Sequence, residues 1–408
     1  MKEIAIEDKK RSPISWVPTL YFAMGLPFVM INMAATVMFR NLEISDAQIA
    51  FWTSLIMLPW TLKPLWSPFL EMYKTKKFFV ILTQTLTGLM FGLTALALNL
   101  PHFFAICIAI LAVIALSGAT HDIAADGVYM SALSKDDQAK YIGWQGAFYN
   151  IAKLVAQGGL VYVSGVLIKY FAGNIDGVTP FIQASSEHQA AVIAWMGILL
   201  FAGALMVAFG LYHIKFLPSE QKNENKVKPT FKETMDELVE TFIDLFRKRH
   251  IVYYICFIIL YRFAEGFVMK IVPLFLMADR ANQGLGLTNE QIGAYYGTYG
   301  SAAFVLGSLL AGYYVAHRGL QKSLFSLCCV FNLPFVAYTL LAIYQPTEMW
   351  IIGGAIMLEY FGYGFGFVGL TLFMMQQIAP GKHQMAHYAF ASGIMNLGVM
   401  LPGMLSGY

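Results

Sequence analysis

FFAICIAILAVIALSGATHDIAADGVYMSAL, residues 103–133, is the stretch on which the fold turns. From Phe103 to His121 it holds no Asp, Glu, Lys or Arg. A helix needs roughly 20 apolar residues to cross a hydrocarbon core, and this run nearly supplies them alone. Asp122 and Asp126 then enter within the same stretch. Their i,i+4 spacing puts both carboxylates on one helix face. Charge confined to one face of an otherwise apolar span is the pattern of a membrane helix whose ionisable groups turn towards other protein.

Further runs without charge cover 12–39, 188–214, 291–317, 323–347, 360–381 and 383–408, and the run 78–121 is broken by Asn99-Leu100-Pro101-His102. Over all 408 residues 58% are hydrophobic and 12% charged, against about 25% charged in soluble domains. A soluble or disordered chain is excluded, and a net charge of +3 leaves no footprint for nucleic acid. Cys107, Cys256, Cys328 and Cys329 lie in apolar stretches without metal-ligand or disulfide spacing. The chain reads as an all-α polytopic membrane protein. Spans are expected at 15–39, 47–70, 78–98, 103–133, 142–168, 189–214, 251–277, 290–316, 323–344, 349–378 and 385–408.

Lysine and arginine set the orientation. With the N-terminus in the cytoplasm, that side collects Lys2 to Arg11, Lys74 to Lys77, Lys135, Lys140, the basic residues between Lys215 and Arg249, Arg318, Lys322 and Lys382. The outer side keeps only Arg40, Lys169 and Arg280. The one long connection, 215–250, contains TFKETMDELVETFIDLFRKR (Thr230–Arg249), an amphipathic helix expected along the membrane face.

The halves on either side of that linker echo each other. Ile44-Ser45-Asp46-Ala47-Gln48-Ile49 precedes the second span, and Leu287-Thr288-Asn289-Glu290-Gln291-Ile292 precedes the eighth. Gln138 and Asn150 in the fifth span recur as Gln384 and Asn396 in the eleventh. Parallel halves of six helices around a central site are the signature of the major facilitator fold. The expected layout is a bundle over 1–214, a linker over 215–250 and a second bundle over 251–408. Two six-helix halves require a twelfth helix, so the chain is expected to be a shortened form, with the small face of Gly398, Gly403 and Ser406 exposed.

LPWTLKPLWSPFLE (Leu58–Glu71), the Gly25-Leu26-Pro27 step and SGATHDIAADGVYMSAL (Ser117–Leu133) resemble the AmpG-type muropeptide permeases, and the same motifs are similar to those of the acetyl-CoA transporters. At motif level the resemblance covers the first, second, fourth and fifth spans; the C-terminal half matches only in architecture. It implies proton symport of a sugar-containing cell-wall fragment, such as an anhydro-muropeptide, across a bacterial inner membrane. It also implies a gating role for Glu71, where the family usually has Asp.

Ionisable groups within spans are the candidates for function. Lys63 lies at about the depth of Asp122 and Asp126, so the three form either a gate and proton relay or an interhelical clamp. Near midplane, at about 1.5 Å per residue, come Lys153, Arg262, Glu265 and Glu359. Arg262 and Glu265, at i,i+3, can pair on one face. The two cations suit an anion and the carboxylates suit proton coupling; the alternative is a salt bridge that never meets solute. Gln145 and Tyr149 stand in line with Lys153, with Asn150 a step aside and Trp144 able to stack on a sugar, or else these residues join helices by hydrogen bonds. His383 and His387 lie too near the span's end for a midplane site, and no metal site is read. Without a Walker motif ATP-driven transport is not expected; the resemblance implies the proton gradient as the energy source, with no cofactor. The expected protein is a monomeric secondary transporter binding a small-molecule solute within the bilayer. Another saccharide or an acyl-CoA-like anion is the alternative solute. An intramembrane acyltransferase is the alternative class, but the chain lacks the nucleophile constellation it would need.

Overall fold

The computed structural model describes residues 11–175, 178–219, 231–287, 291 and 293–405. The first six spans are α1 (Pro13–Asn41), α2 (Asp46–Leu55, Leu58–Leu62, Lys63–Leu65 and Ser67–Tyr73), α3 (Lys76–Ala97), α4 (Phe103–Ala132), α5 (Lys135–Phe171) and α6 (Glu187–Phe216). The linker helix is α7 (Phe231–Arg247). Then follow α8 (Ile251–Met277), α9 (Gly293–Gly300 and Ser301–Arg318), α10 (Leu320–Tyr344), α11 (Met349–Ile378) and α12 (Gln384–Leu405). Among the described residues, nine helices are long and apolar enough to cross a membrane.

The second span is not the continuous helix expected over 47–70. Pro59, Pro64 and Pro68 each sit in the first turn of one of its pieces, where the missing amide costs nothing. Each also denies the preceding piece a hydrogen bond, so the span advances in short steps. In α1, Pro27 is followed by a π-helical turn at Met30–Ala34. The Gly25 preceding it admits α5 closely: a Cβ there would stand 2.7 Å from the Tyr149 carbonyl oxygen.

In the N-terminal half α3 packs on α4 and α6, and α1 on α5; in the C-terminal half α9 and α10 pack on α11, and α8 on α12. Between halves, α5 runs along α9, while α12 lies against α2 and α4. An axis exchanging α2 with α9 and α5 with α12 requires this pairing. The α5–α9 contact depends on Gly143, whose Cβ would collide with the Ser308 carbonyl oxygen. Gly398 is buried against Ile259 of α8 rather than facing lipid, contrary to expectation. Ser406 and four of the six residues of the second repeat motif (288–290 and 292) lie outside the described residues, as do the surroundings of Gly403.

On the side of the bundle that carries α7, one buried apolar cluster joins both halves through Tyr129, Leu245, Ile251, Ile378 and Met385. Gln376 at the end of α11 donates to the Lys135 carbonyl at 3.2 Å across the same side. The apolar stripe of α7 docks on protein as well as facing outward. Phe242 and Phe246 set their rings 6.0 and 5.7 Å from that of Phe390 in α12, whereas Val239 and Ile243 stay exposed.

Candidate functional site

Between the halves lies a cavity of about 340 Å³, at the lower end of the usual ligand-pocket range of about 300–1,000 Å³. Helices α1, α2, α4 and α5 supply one wall, and α8, α9, α11 and α12 the other. Lys63, Asp122, Asp126, Gln145, Tyr149, Asn150, Lys153 and Arg262 all line it.

On the N-terminal wall the carboxylates are held by neutral donors. Trp60 Nε1 donates to Asp122 Oδ2 at 3.0 Å. Tyr21 donates its hydroxyl proton to Asp126 Oδ1 at 2.9 Å, and Gln145 Nε2 donates to the same oxygen at 3.4 Å. Asp122 Oδ1 is buried and makes no hydrogen bond. Lys63 interacts electrostatically with both aspartates but makes no ion pair among the described residues. The clamp between α2 and α4 is made by indoles instead: Trp60 on Asp122, and Trp66 Nε1 on Thr120 Oγ1 at 3.2 Å. The side chain of Glu71 lies outside the described residues.

The C-terminal wall is built differently. Arg262 Nε and Nη2 each donate to one oxygen of Glu265, both at 2.6 Å, a bidentate pair on one helix face. Nη1 is the guanidinium nitrogen that Glu265 does not use. The Arg262 guanidinium lies over the Phe367 ring at 5.5 Å. Lys153, from the opposite half, comes within electrostatic reach of this pair, with its ammonium 5.2 Å from the centre of the Tyr149 ring.

Three candidates stand away from the wall. Glu265 is behind Arg262, and Glu359 turns towards α10, where it accepts from the Tyr338 hydroxyl at 3.3 Å. Equal depth had grouped Glu359 with the cavity, but depth carries no information about azimuth. Trp144 stacks on Phe148, at 5.9 Å and an interplanar angle of 7°, outside the wall. The aromatic side chains that do line the cavity include Phe28, Trp60, Tyr149 and Tyr363, with Tyr21, Phe304, Phe367 and Tyr388 beside them.

Sequence reasoning missed the contribution of α12. Tyr388, Ser392 and Asn396 line the cavity at i, i+4 and i+8, as do Ile142, Gly146 and Asn150 on α5. The Asn150–Asn396 echo contained this register: the same separation carries Ile142 to Tyr388 and Gly146 to Ser392.

Residues 19–407 match the family model of the Major Facilitator Superfamily. The chain belongs to that superfamily. It is thus a multi-pass membrane transporter of small-molecule solutes, not an enzyme. Its fold is similar to that of the E. coli fucose:proton symporter (TM-score 0.67, 14% identity, covering 97% of this chain and 90% of that one). It is also similar to a bacterial homologue of the iron transporter ferroportin, in an outward-facing state (TM-score 0.61, 11% identity, 97% and 92% covered). An uncharacterized protein of Haemophilus influenzae is 22% identical over 406 residues, covering 95% of this chain and 85% of its own length.

Proposed function

We propose that this transporter is a proton-coupled symporter for a sugar-containing anion of the kind released from cell walls. It would work as a monomer in a bacterial inner membrane, with α7 and the N-terminus on the cytoplasmic side. The observation that carries the reading is the division of labour in the cavity. Lys153 presents positive charge and Arg262, already paired with Glu265, presents its Nη1 donors from the opposite half, while Asp122 and Asp126 face the same space without an ion pair among the described residues.

The solute's acidic group bridges Lys153 and Arg262, drawing the halves together around it. Gln145, Ser392 and Asn396 supply hydrogen bonds for hydroxyls, and Tyr149 and Trp60 supply flat surfaces for a sugar ring. Asp122 is the seat of the coupled proton, since its Oδ1 is buried and unpartnered and protonation removes a charge that would otherwise be stranded. A second reading, a free sugar acid rather than a larger anhydro-muropeptide, is favoured by the cavity's modest volume of about 340 Å³.

Reconstituted protein should accumulate an acidic sugar only under an inwardly directed proton gradient. Replacing Lys153 with Met should weaken solute binding by roughly tenfold or more, the value of one charge-assisted hydrogen bond at about 1.5–3 kcal/mol. Accumulation that ignores the proton gradient, or full affinity in Lys153→Met, would refute the reading.

A further inference from the structure

Away from the transport cavity, two helices bring three metal-type side chains to one place, with a fourth, His387, adjoining them. Glu240 and Asp244 stand at i,i+4 on α7, and His383 and His387 at i,i+4 at the start of α12. The contacts of Phe242 and Phe246 with Phe390 hold these helices together. One ligand atom from each of Glu240, Asp244 and His383 lies within 4.8 Å of the other two.

The separation of His383 Nε2 from Asp244 Oδ2 is 3.8 Å. That is too long for a hydrogen bond. It is close to the spacing of two donors on one tetrahedral ion, about 3.4 Å for metal–donor bonds of about 2.0–2.2 Å. His387, 98% buried, stands beside this cluster, its ring centroid 5.9 Å from that of His383. Its Nε2 donates to the Thr241 carbonyl at 3.1 Å, which leaves the lone pair of the neutral ring on Nδ1. Nδ1 is buried and has no hydrogen-bond partner. An imidazole fixed through one nitrogen by a backbone carbonyl, with its other lone pair free, is in the form that ligates metals.

Two lysines face the cluster. Lys382 Nζ lies 3.6 Å from Glu240 Oε1, but both side chains are more than half exposed, so an incoming ion displaces the ammonium into water at little cost. Lys248 is committed to the carbonyls of Ile378 and Pro380, and burial pushes its ammonium below the usual lysine range, against the pull of Asp244.

We propose that Glu240, Asp244 and His383 form a site for a zinc-class divalent cation that ties the linker helix to α12. Mixed carboxylate and imidazole donors select zinc or a neighbouring transition ion over magnesium or calcium, which take all-oxygen shells. The site lies where Gln376 and the Lys135 carbonyl already join the halves. A bound ion therefore fixes α7 against α12 on that side of the transporter.

The test is titration of the full-length purified protein with Zn²⁺ and Co²⁺. Saturable 1:1 binding is expected, with the intense visible absorption of four-coordinate cobalt and slower hydrogen exchange in α7. His383→Gln and Asp244→Asn should each weaken binding at least tenfold, whereas Lys382→Gln, which removes a competing cation beside Glu240, should tighten it. The Lys382→Gln arm remains decisive if the other variants fold poorly. Binding that is unsaturable at millimolar metal, undiminished in His383→Gln, or unchanged or weakened in Lys382→Gln overturns the proposal.

Discussion

The two walls of the cavity hold charge in opposite ways. The C-terminal half neutralises its own: Arg262 and Glu265 satisfy each other on one helix face, with side chains 8% and 3% exposed. The N-terminal half leaves its carboxylates to neutral donors, Trp60, Tyr21 and Gln145, and keeps Lys63 nearby without an ion pair among the described residues. A closed pair is fixed in charge. An open carboxylate can take up or release a proton at modest cost, because no partner is stranded when it does. Under the proposed function, the C-terminal wall is the rigid anchor and the N-terminal wall the proton-handling surface.

The sharpest way to break this comparison is to open the closed pair. Arg262→Gln strands a buried carboxylate and should cost about 3–5 kcal/mol of stability. Arg262→Gln with Glu265→Gln should recover most of it, as read by thermal unfolding in detergent. No recovery in the double variant would mean that the guanidinium is needed for more than its partner. The converse change on the other wall, Asp122→Asn, should leave folding nearly intact, since the amide mimics the protonated acid. It should abolish gradient-driven accumulation while sparing solute exchange. For one proton per solute, two pH units support about 2.7 kcal/mol, or roughly 100-fold accumulation, which should fall to equilibration.

These contrasts were only partly legible in the chain. Residues 103–133 and 349–378 gave spans that coincide closely with Phe103–Ala132 and Met349–Ile378, because apolar length is a one-dimensional property. The 47–70 span was misjudged as continuous, although Pro59, Pro64 and Pro68 were visible, since hydropathy does not register lost amides. Depth brought Lys153 and Arg262 to one level correctly, but it could not show that Glu359 turns to Tyr338. Tyr388 and Ser392 read as ordinary span residues because only the opposing half makes them a wall. Glu240 and Asp244 were far from His383 in sequence, and only the docking of α7 joins them.

The moving seam between the halves gives a smaller effect. Gly143→Ala places a methyl group against the Ser308 carbonyl, and overpacking of this kind costs about 1–3 kcal/mol. Because the obstacle is backbone, Ser308→Gly should not relieve it. Rescue by that second change would show that the Ser308 side chain sets the distance between α5 and α9.

The smallest effect sharpens the comparison at equivalent positions. Asn150 and Asn396 both face the cavity, but Asn150 Nδ2 already donates to the Gly146 carbonyl of its own helix at 2.9 Å. Asn396, exposed in the cavity, keeps its amide for the solute. One neutral hydrogen bond contributes about 0.5–1.5 kcal/mol net, so Asn396→Ala should weaken solute binding roughly two- to tenfold. Asn150→Ala should change it less, because one of its two amide N–H donors is already spent within the helix. Equal losses at the two positions would mean that Asn150 releases Gly146 when solute arrives. The N-terminal wall would then rearrange around the ligand, as its open carboxylates already allow, while the paired C-terminal wall stays still.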